Sequence, residues 1–198
     1  MLPASSLTFA RLMFGVAVFA VSTHAHAQQT AGTTRTPWEF VMSSGTLVPT
    51  GLQRAAIARG AHSGALLSYL FSRRVAATAA LGWTRSRDVA SANDAKLDLF
   101  MYDAGLEWRT PRERDDRRIT FAPLVGAGVG ARTYDVRGAG ARTTHDATAY
   151  LTFGGELAYA RLRLRLDARS YLSSAAPFGR AGARHDVVIA AGLRWVRK

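Results

Sequence analysis

Cysteine is absent from the 198 residues of the chain. This absence excludes a disulfide framework, a thiolate metal site, a cysteine nucleophile and a lipid anchor attached to a cysteine. Long hydrophobic runs are also missing beyond residue 27, where no uncharged stretch approaches the ~20 residues that a transmembrane helix requires. The chain therefore has to fold without covalent cross-links, and a helical membrane protein is excluded.

Acidic side chains are in short supply, with 14 Asp and Glu against 26 Lys and Arg and a formal net charge of +12. This balance indicates anionic partners. Charged residues make up only 20% of the chain and apolar residues 48%, a composition too apolar for a disordered protein. The length fits a single domain.

The first 27 residues have the order of a secretory signal peptide. A basic residue precedes the apolar run Leu12–Val21, which is about half the length needed to span a bilayer, and a small-x-small sequence ends at Ala27. We predict a cleaved signal peptide at 1–27, a polar lead-in at 28–36 and a single domain at 37–198. We expect no nucleic-acid partner for an exported chain.

Along the rest of the chain, apolar and polar residues alternate with a period of two, in segments separated by Gly, Pro and charged residues. The pattern predicts eight strands, at residues 38–48, 62–71, 75–84, 97–109, 119–134, 147–159, 162–172 and 186–196. Pro123 lies inside the fifth strand and cannot donate a ladder hydrogen bond, so we expect a bulge or a strand start there. An even number of long, consecutive antiparallel strands favours a closed barrel over a sandwich of short strands.

The alternation separates an apolar face from a charged one. In the seventh strand, Leu164 and Leu166 lie on one face, whereas Arg163 and Arg165 lie on the other. The charged faces of all the strands together carry equal numbers of acidic and basic residues, namely Glu39, Asp103, Glu107, Glu156, Asp167, Asp186, Arg109, Arg132, Arg163, Arg165, Arg169 and Arg194. Because an enclosed face requires such a balance, we predict that these side chains form a lumen charge network, with Arg163 as the partner of Glu156.

Two barrels fit this alternation, a soluble one with its charged face in water and a transmembrane one with its apolar face in lipid. The interior of an eight-stranded barrel is only wide enough for a filling of side chains, and the aromatic residues of the apolar face are too bulky for it. Several aromatic residues lie at strand ends that share one rim, as in an interfacial girdle: Trp38, Phe71, Trp108, Tyr159 and Trp195. The links after the odd-numbered strands are about a dozen residues or more, whereas those after the second and sixth are short. These features favour the transmembrane barrel.

The hairpin at 64–75 and the segment 191–195 resemble the small eight-stranded outer-membrane barrels of Gram-negative bacteria, the OmpA transmembrane-domain and OmpX type. The resemblance rests on pattern and covers nearly the whole chain after Trp38. It implies an all-β, eight-stranded antiparallel up-and-down transmembrane barrel in the cell outer membrane, after a cleaved signal peptide. It also implies a monomer that is inserted by the barrel assembly machinery and surrounded by outer-membrane lipid.

Basic residues outside the lumen set are expected in loops or at the rim opposite the aromatic girdle. Arginine offers two parallel hydrogen bonds to a phosphate, so these residues suit contact with lipopolysaccharide phosphates. They are Arg54, Arg59, Arg85, Arg87, Lys96, Arg137, Arg142, Arg180 and Arg184.

Some barrels of this size modify lipid A, which requires a His, a Ser and a carboxylate together on the lipid-facing surface. Here His62 and Ser63 point to opposite faces of a strand, and no His-x-Ser occurs after the signal. No metal-ligand or cofactor motif is present either. We therefore expect a non-enzymatic barrel without cofactor or metal, with a structural or surface-interaction role and a lumen plugged by ion pairs. A lipid A acyl hydrolase or acyltransferase is the alternative.

Overall fold

The computed structural model describes residues 37–90, 95–111, 119–138, 142–159, 162–173 and 184–195. The predicted signal peptide and the lead-in lie outside these residues, as do Arg180 and the side chains of Arg142 and Trp195. What the sequence predicts for them stays a prediction. The described residues all belong to one compact unit.

Eight antiparallel strands form a closed barrel in which each strand pairs with its neighbours in the chain and β1 pairs with β8. The strands are β1 (Trp38–Pro49), β2 (Gly60–Leu70), β3 (Val75–Asp88), β4 (Ala95–Arg109), β5 (Thr120–Val136), β6 (Arg142–Tyr159), β7 (Leu162–Ser173) and β8 (Arg184–Trp195). The predicted all-β, eight-stranded up-and-down barrel is confirmed. Within the described residues, no helix has the length and apolar character needed to cross a membrane.

The two ends of the barrel are named here by what they carry. The terminal rim holds the start of β1 and the end of β8, together with the β2–β3, β4–β5 and β6–β7 connections. The loop rim holds the β1–β2, β3–β4, β5–β6 and β7–β8 connections.

Several strands reach further toward the loop rim than the sequence predicts. β3 runs on to Asp88, which pairs with Ala95, and β5 remains paired with β6 out to Val136. The connections at 89–94 and 137–141 are therefore shorter than about a dozen residues, and that expectation is wrong. The ladder continues through polar residues beyond the last apolar position, where the period-two signal fades.

Pro123 lies inside β5 without a bulge or a break, and pairs opposite Gly155 in a continuous β5–β6 register. Its carbonyl accepts a hydrogen bond from Thr110 N at 3.1 Å, just beyond the last β4–β5 pair, Arg109 with Leu124. The N and the carbonyl of one residue face the same neighbour in an antiparallel ladder. Because Pro123 lies beyond the last β4–β5 pair, its missing N–H removes no hydrogen bond from within that ladder. The expectation of a bulge or a strand start at Pro123 is wrong.

A short 3-10 helix at Gly51–Ala55 follows β1 and was not predicted. It begins at a glycine with a positive φ of 54°, a conformation that glycine adopts without steric cost. After it, Ala56 and Ile57 are buried against the barrel interior, and Ile57 forms a bridge to Asp88. The apolar run at 55–58 in this connection was the available signal for the buried segment.

Candidate functional site

The outward face of the barrel is apolar. Leu106, Val129, Phe153 and Leu193 lie on the outward sides of four strands, and each is more than half exposed. Acidic and basic side chains such as Glu107 are instead buried inside. A soluble protein buries apolar groups and exposes charged ones. The reversed arrangement is that of a transmembrane barrel, whose apolar outer band meets lipid.

Aromatic side chains lie at the edge of this band on the terminal rim. Trp38, Phe71, Trp108 and Tyr159 are between 45% and 63% exposed. The rings of Trp38 and Tyr69 pack edge to face with their centroids 4.8 Å apart. This position at the edge of an apolar band is the one that interfacial aromatic residues occupy.

The inward sides of the strands carry the residues of the predicted lumen charge network, with Arg163 half-buried among them. Near the terminal rim, Arg109 Nη1 lies 2.5 Å from Glu39 Oε2, and Arg194 pairs with the same carboxylate. Arg194 Nη2 also lies 2.8 Å from Glu156 Oε1, an ion pair that the sequence did not predict. The pairing of Glu156 with Arg163 stays a prediction. Because β1 and β4 are three strands apart, the contact between Arg109 and Glu39 crosses the interior.

Arg165 extends this chain of ion pairs to β7. Its two terminal nitrogens contact the two oxygens of Glu107 at 2.6 and 3.1 Å, a bidentate geometry that is among the strongest ionic contacts. Arg165 Nε lies 2.5 Å from Asp167 Oδ2, and Glu107 Oε1 lies 2.8 Å from Arg109 Nη2. A continuous series of contacts therefore connects β6, β8, β1, β4 and β7.

Two further pairs lie closer to the loop rim. Arg169 Nη1 is 3.0 Å from Asp103 Oδ2, which also accepts a hydrogen bond from the Tyr171 hydroxyl at 2.5 Å. Arg132 Nη1 is 2.5 Å from Asp186 Oδ2, and both side chains are 1% exposed. The Arg132 guanidinium also stacks over the Tyr171 ring, 4.1 Å from its centroid. These pairs join β4 to β7 and β5 to β8, so they too cross the interior.

Glycines on β5 leave room for these large side chains. A Cβ at Gly130 would lie 2.4 Å from Asp103 Oδ1, and a Cβ at Gly128 would lie 2.6 Å from the Tyr150 hydroxyl. Contacts this short do not occur between real side chains, so any other residue would displace the interior groups. The glycines of this strand are therefore part of how the narrow interior is filled.

An apolar cluster lies in the interior toward the loop rim, a feature that the sequence analysis missed. Inward side chains exposed by at most 8% cluster there with the buried residues that follow the 3-10 helix: Leu47, Leu97, Leu99, Met101, Tyr134, Val136, Val188 and Ala190. The start of β4 held the signal, because apolar residues occupy its supposedly polar face. The interior toward the loop rim thus combines this apolar cluster with buried polar and charged side chains such as Thr84, Arg132 and Asp186.

A cavity of about 30 Å³ remains inside, and its lining includes His62, Asp103, Arg169 and Tyr171. His62 Nδ1 lies 3.0 Å from Thr84 Oγ1.

A contact between Ser170 and His185 lies on the outward wall, where sequence spacing gave no sign of it. His185 Nε2 is 2.6 Å from Ser170 Oγ, and His185 Nδ1 is 2.7 Å from Thr50 Oγ1. The register of β7 against β8 brings the serine and the histidine together. The second histidine nitrogen faces a hydroxyl, where a catalytic triad places a carboxylate.

The predicted exterior cations do not all share one environment. Arg54, Arg59, Arg85 and Arg87 are exposed, as are Lys96 and Arg137, whereas Arg184 at the loop-rim end of β8 is buried. In the described part of the chain, no group of three or more His, Asp or Glu side chains is placed to hold a metal ion.

The closed eight-stranded fold, the apolar outer wall and the buried charges together define a small outer-membrane β-barrel. The sequence matches no protein-family model and no curated protein. Among solved structures, the chain is similar to Neisserial surface protein A, NspA, at 13% identity and a TM-score of 0.58, over 80% of this chain and 96% of that one. This likeness shows the shared fold.

Two further structures align over a similar share of the chain. One is the N-terminal β-barrel domain of Pseudomonas aeruginosa OprF, at 12% identity, with 80% of this chain and 98% of that one covered and a TM-score of 0.48. The other is Ail, the attachment invasion locus protein of Yersinia pestis, at 14% identity, with 80% and 99% covered and a TM-score of 0.41.

Proposed function

We propose that the protein is an integral outer-membrane barrel with a plugged lumen, which has a structural or surface-interaction role and neither conducts solutes nor catalyses a reaction. The observation that carries this proposal is the set of buried ion pairs that cross the interior, such as Glu107 with Arg165 and Asp186 with Arg132. Separating a buried pair leaves two uncompensated charges, which is strongly unfavourable. The pairs therefore act as fixed braces across the lumen.

The apolar cluster supports the same proposal. A solute inside the barrel would also meet side chains such as Leu99, Met101 and Ile57, each exposed by 1% or less. Moving an ion into such surroundings without hydrogen-bond partners is costly. The ion pairs and the apolar cluster oppose conduction by different physical means, the first by fixed charge pairs and the second by the lack of solvation.

We further propose a monomer that is inserted by the barrel assembly machinery, with the loop rim facing the outside of the cell. Closure of β1 on β8 supports the monomer, because it leaves no unpaired strand edge for a second copy to complete. The exposed apolar band supports a surround of outer-membrane lipid, and the exposed basic residues at the loop rim support contact with lipopolysaccharide.

Single-channel recording in planar lipid bilayers tests the plug. We expect no steady conductance from the unmodified protein, and more frequent conducting events after Glu107→Ala combined with Arg165→Ala, because that change removes the bidentate brace. Leu106→Ala, on the outward side of β4, is the matched control and leaves the recording unchanged. A large, steady conductance from the unmodified protein would replace the plug with a pore.

A lipid-modifying enzyme is the second candidate, and the 2.6 Å contact between Ser170 and His185 on the outward wall is the observation that favours it. A serine activated by a histidine is the nucleophile of many acyl-transfer enzymes. It ranks second because the Thr50 hydroxyl cannot stabilise a histidine cation as a carboxylate does. Mass spectrometry of lipid A should give identical profiles for Ser170→Ala and the outward-facing control Ser63→Ala. A lipid product lost in Ser170→Ala alone would favour the enzyme.

A further inference from the structure

Basic side chains gather on the outward wall at the loop rim, where β3, β4 and β5 meet it. Arg87 on β3 lies directly opposite Lys96 on β4, and the N of Arg137, which follows β5, donates to the Lys96 carbonyl at 2.9 Å. In the next outward-facing pair toward the terminal rim, Arg85 lies opposite Asp98. All four basic residues are exposed, and together they are called the rim cation cluster.

Asp98 holds two members of this cluster in place. Its side chain is only 3% exposed although it lies on the outward face, because Arg85 Nε at 3.5 Å and Arg137 Nη2 at 2.5 Å cover it. Trp83 Nε1 donates to the same carboxylate at 3.0 Å, and the Arg85 guanidinium lies 4.7 Å from the Trp83 ring centroid. The side chains of Arg85 and Arg137 are 60% and 56% exposed, so they are anchored and still accessible to a ligand.

The cluster carries more positive charge than the acidic residues beside it neutralise. Asp98 and Asp135 face each other in the β4–β5 register and are the acidic neighbours on this part of the described wall. Four basic residues against these two leave an excess of two positive charges. Like charges directly opposite each other on a sheet, as with Arg87 and Lys96, are destabilising. An external anion would relieve this repulsion.

The cluster lies at the height of lipid headgroups. Below it, the outward face of β3 is apolar from Trp83 down to Val75 at the terminal rim. At ~3.4 Å per residue along strands tilted by ~40°, that segment rises about 20 Å, close to the ~25 Å apolar band of outer-membrane barrels. Trp83 and Phe100, which pair across β3 and β4, mark the upper edge of this band. The basic residues follow immediately beyond it.

We propose that the rim cation cluster binds the phosphate of an anionic glycolipid of the lipid A type, in the leaflet around the loop rim. The inference rests on the proposed outer-membrane orientation. Arginine recognises phosphate through two parallel hydrogen bonds, and lysine adds a mobile point charge. Trp83 at the edge of the band meets the part of the lipid where acyl chains join the headgroup. Because Asp98 already orders two of the arginines, little side-chain entropy is lost on binding.

Binding of purified lipid A to the folded protein in a neutral detergent, measured by native mass spectrometry, tests this site. We expect lipid A to bind the unmodified protein, and its affinity to fall about tenfold or more in the double variant Arg87→Ala with Lys96→Ala, which removes two charge-assisted contacts. Arg73→Ala with Arg74→Ala removes the same charge from the exposed β2–β3 turn on the terminal rim and is the control that keeps the affinity.

Two further probes identify the ligand. Dephosphorylated lipid A should not bind, and inorganic phosphate should bind far more weakly than lipid A. Equal binding of phosphorylated and dephosphorylated lipid A, equal binding of inorganic phosphate, or equal losses in the two double variants would each overturn the inference. A heat-dependent shift in gel migration reports folding of every sample. If the protein is folded but does not bind lipid A, the proposed lipid site is wrong and the barrel stands. If gel migration does not change on heating, the proposed barrel is wrong as well.

Discussion

At the scale of single residues, pairing decides whether a charged interior is stable. The sequence assigned Arg132 and Asp186 to the charged face, but it could not show that they meet, because they lie 54 residues apart on β5 and β8. Barrel closure and side-chain direction bring them together. The same limit applies to Glu156, whose ion pair with Arg194 on β8 could not be predicted from the sequence.

Asp186→Leu leaves Arg132 charged, buried and without this carboxylate, so we expect the free energy of unfolding to fall by about 3–5 kcal/mol. Adding Arg132→Met removes the second charge, and the double variant should be more stable than Asp186→Leu alone. Urea unfolding in lipid bilayers should be measured for Asp186→Leu, for Arg132→Met and for the double variant. Together with the unmodified protein, these three form a double-mutant cycle.

The exposed Arg54 supplies the control for this cycle, since Arg54→Gln should change the free energy of unfolding by no more than about 0.5 kcal/mol. If the losses of the two single variants simply add in the double variant, Arg132 and Asp186 do not stabilise each other.

At the scale of strands, the period-two pattern was sufficient for all eight elements and for which face is apolar. It was insufficient at the loop-rim end of β4, where Leu97, Leu99 and Met101 are buried inside and Asp98 lies on the outward face. There the wall is no longer in contact with acyl chains, so the rule that apolar side chains point outward no longer applies. For the same reason, the period-two pattern did not show the full length of β3 and β6.

Neighbouring residues of β6 test which face meets lipid. Leu151 is 48% exposed on the outward side, whereas Thr152 is 3% exposed on the inward side. Leu151→Arg places a charge near the middle of the apolar band and should cost about 2–4 kcal/mol. Thr152→Asn exchanges one polar side chain for another and should cost clearly less. Folding into lipid vesicles measures both, and equal tolerance would mean that the inward and outward faces have been exchanged.

At the scale of the whole molecule, the barrel places its polar and apolar surfaces in the reverse of a soluble order. Its wall is apolar between the aromatic residues of the terminal rim and the basic residues of the loop rim, while ion pairs cross the interior. No single strand specifies this arrangement. It follows from closing eight strands so that each described strand pairs with both neighbours and a continuous apolar surface faces outward.

Gel migration of the protein from the isolated outer-membrane fraction, with and without boiling, tests most directly that the chain is a folded transmembrane barrel. A closed barrel embedded in lipid resists unfolding by detergent until it is heated. We therefore predict that the protein is recovered with the outer membrane and that the unboiled sample migrates differently from the boiled one. Recovery in the soluble fraction with identical migration before and after boiling would contradict the account.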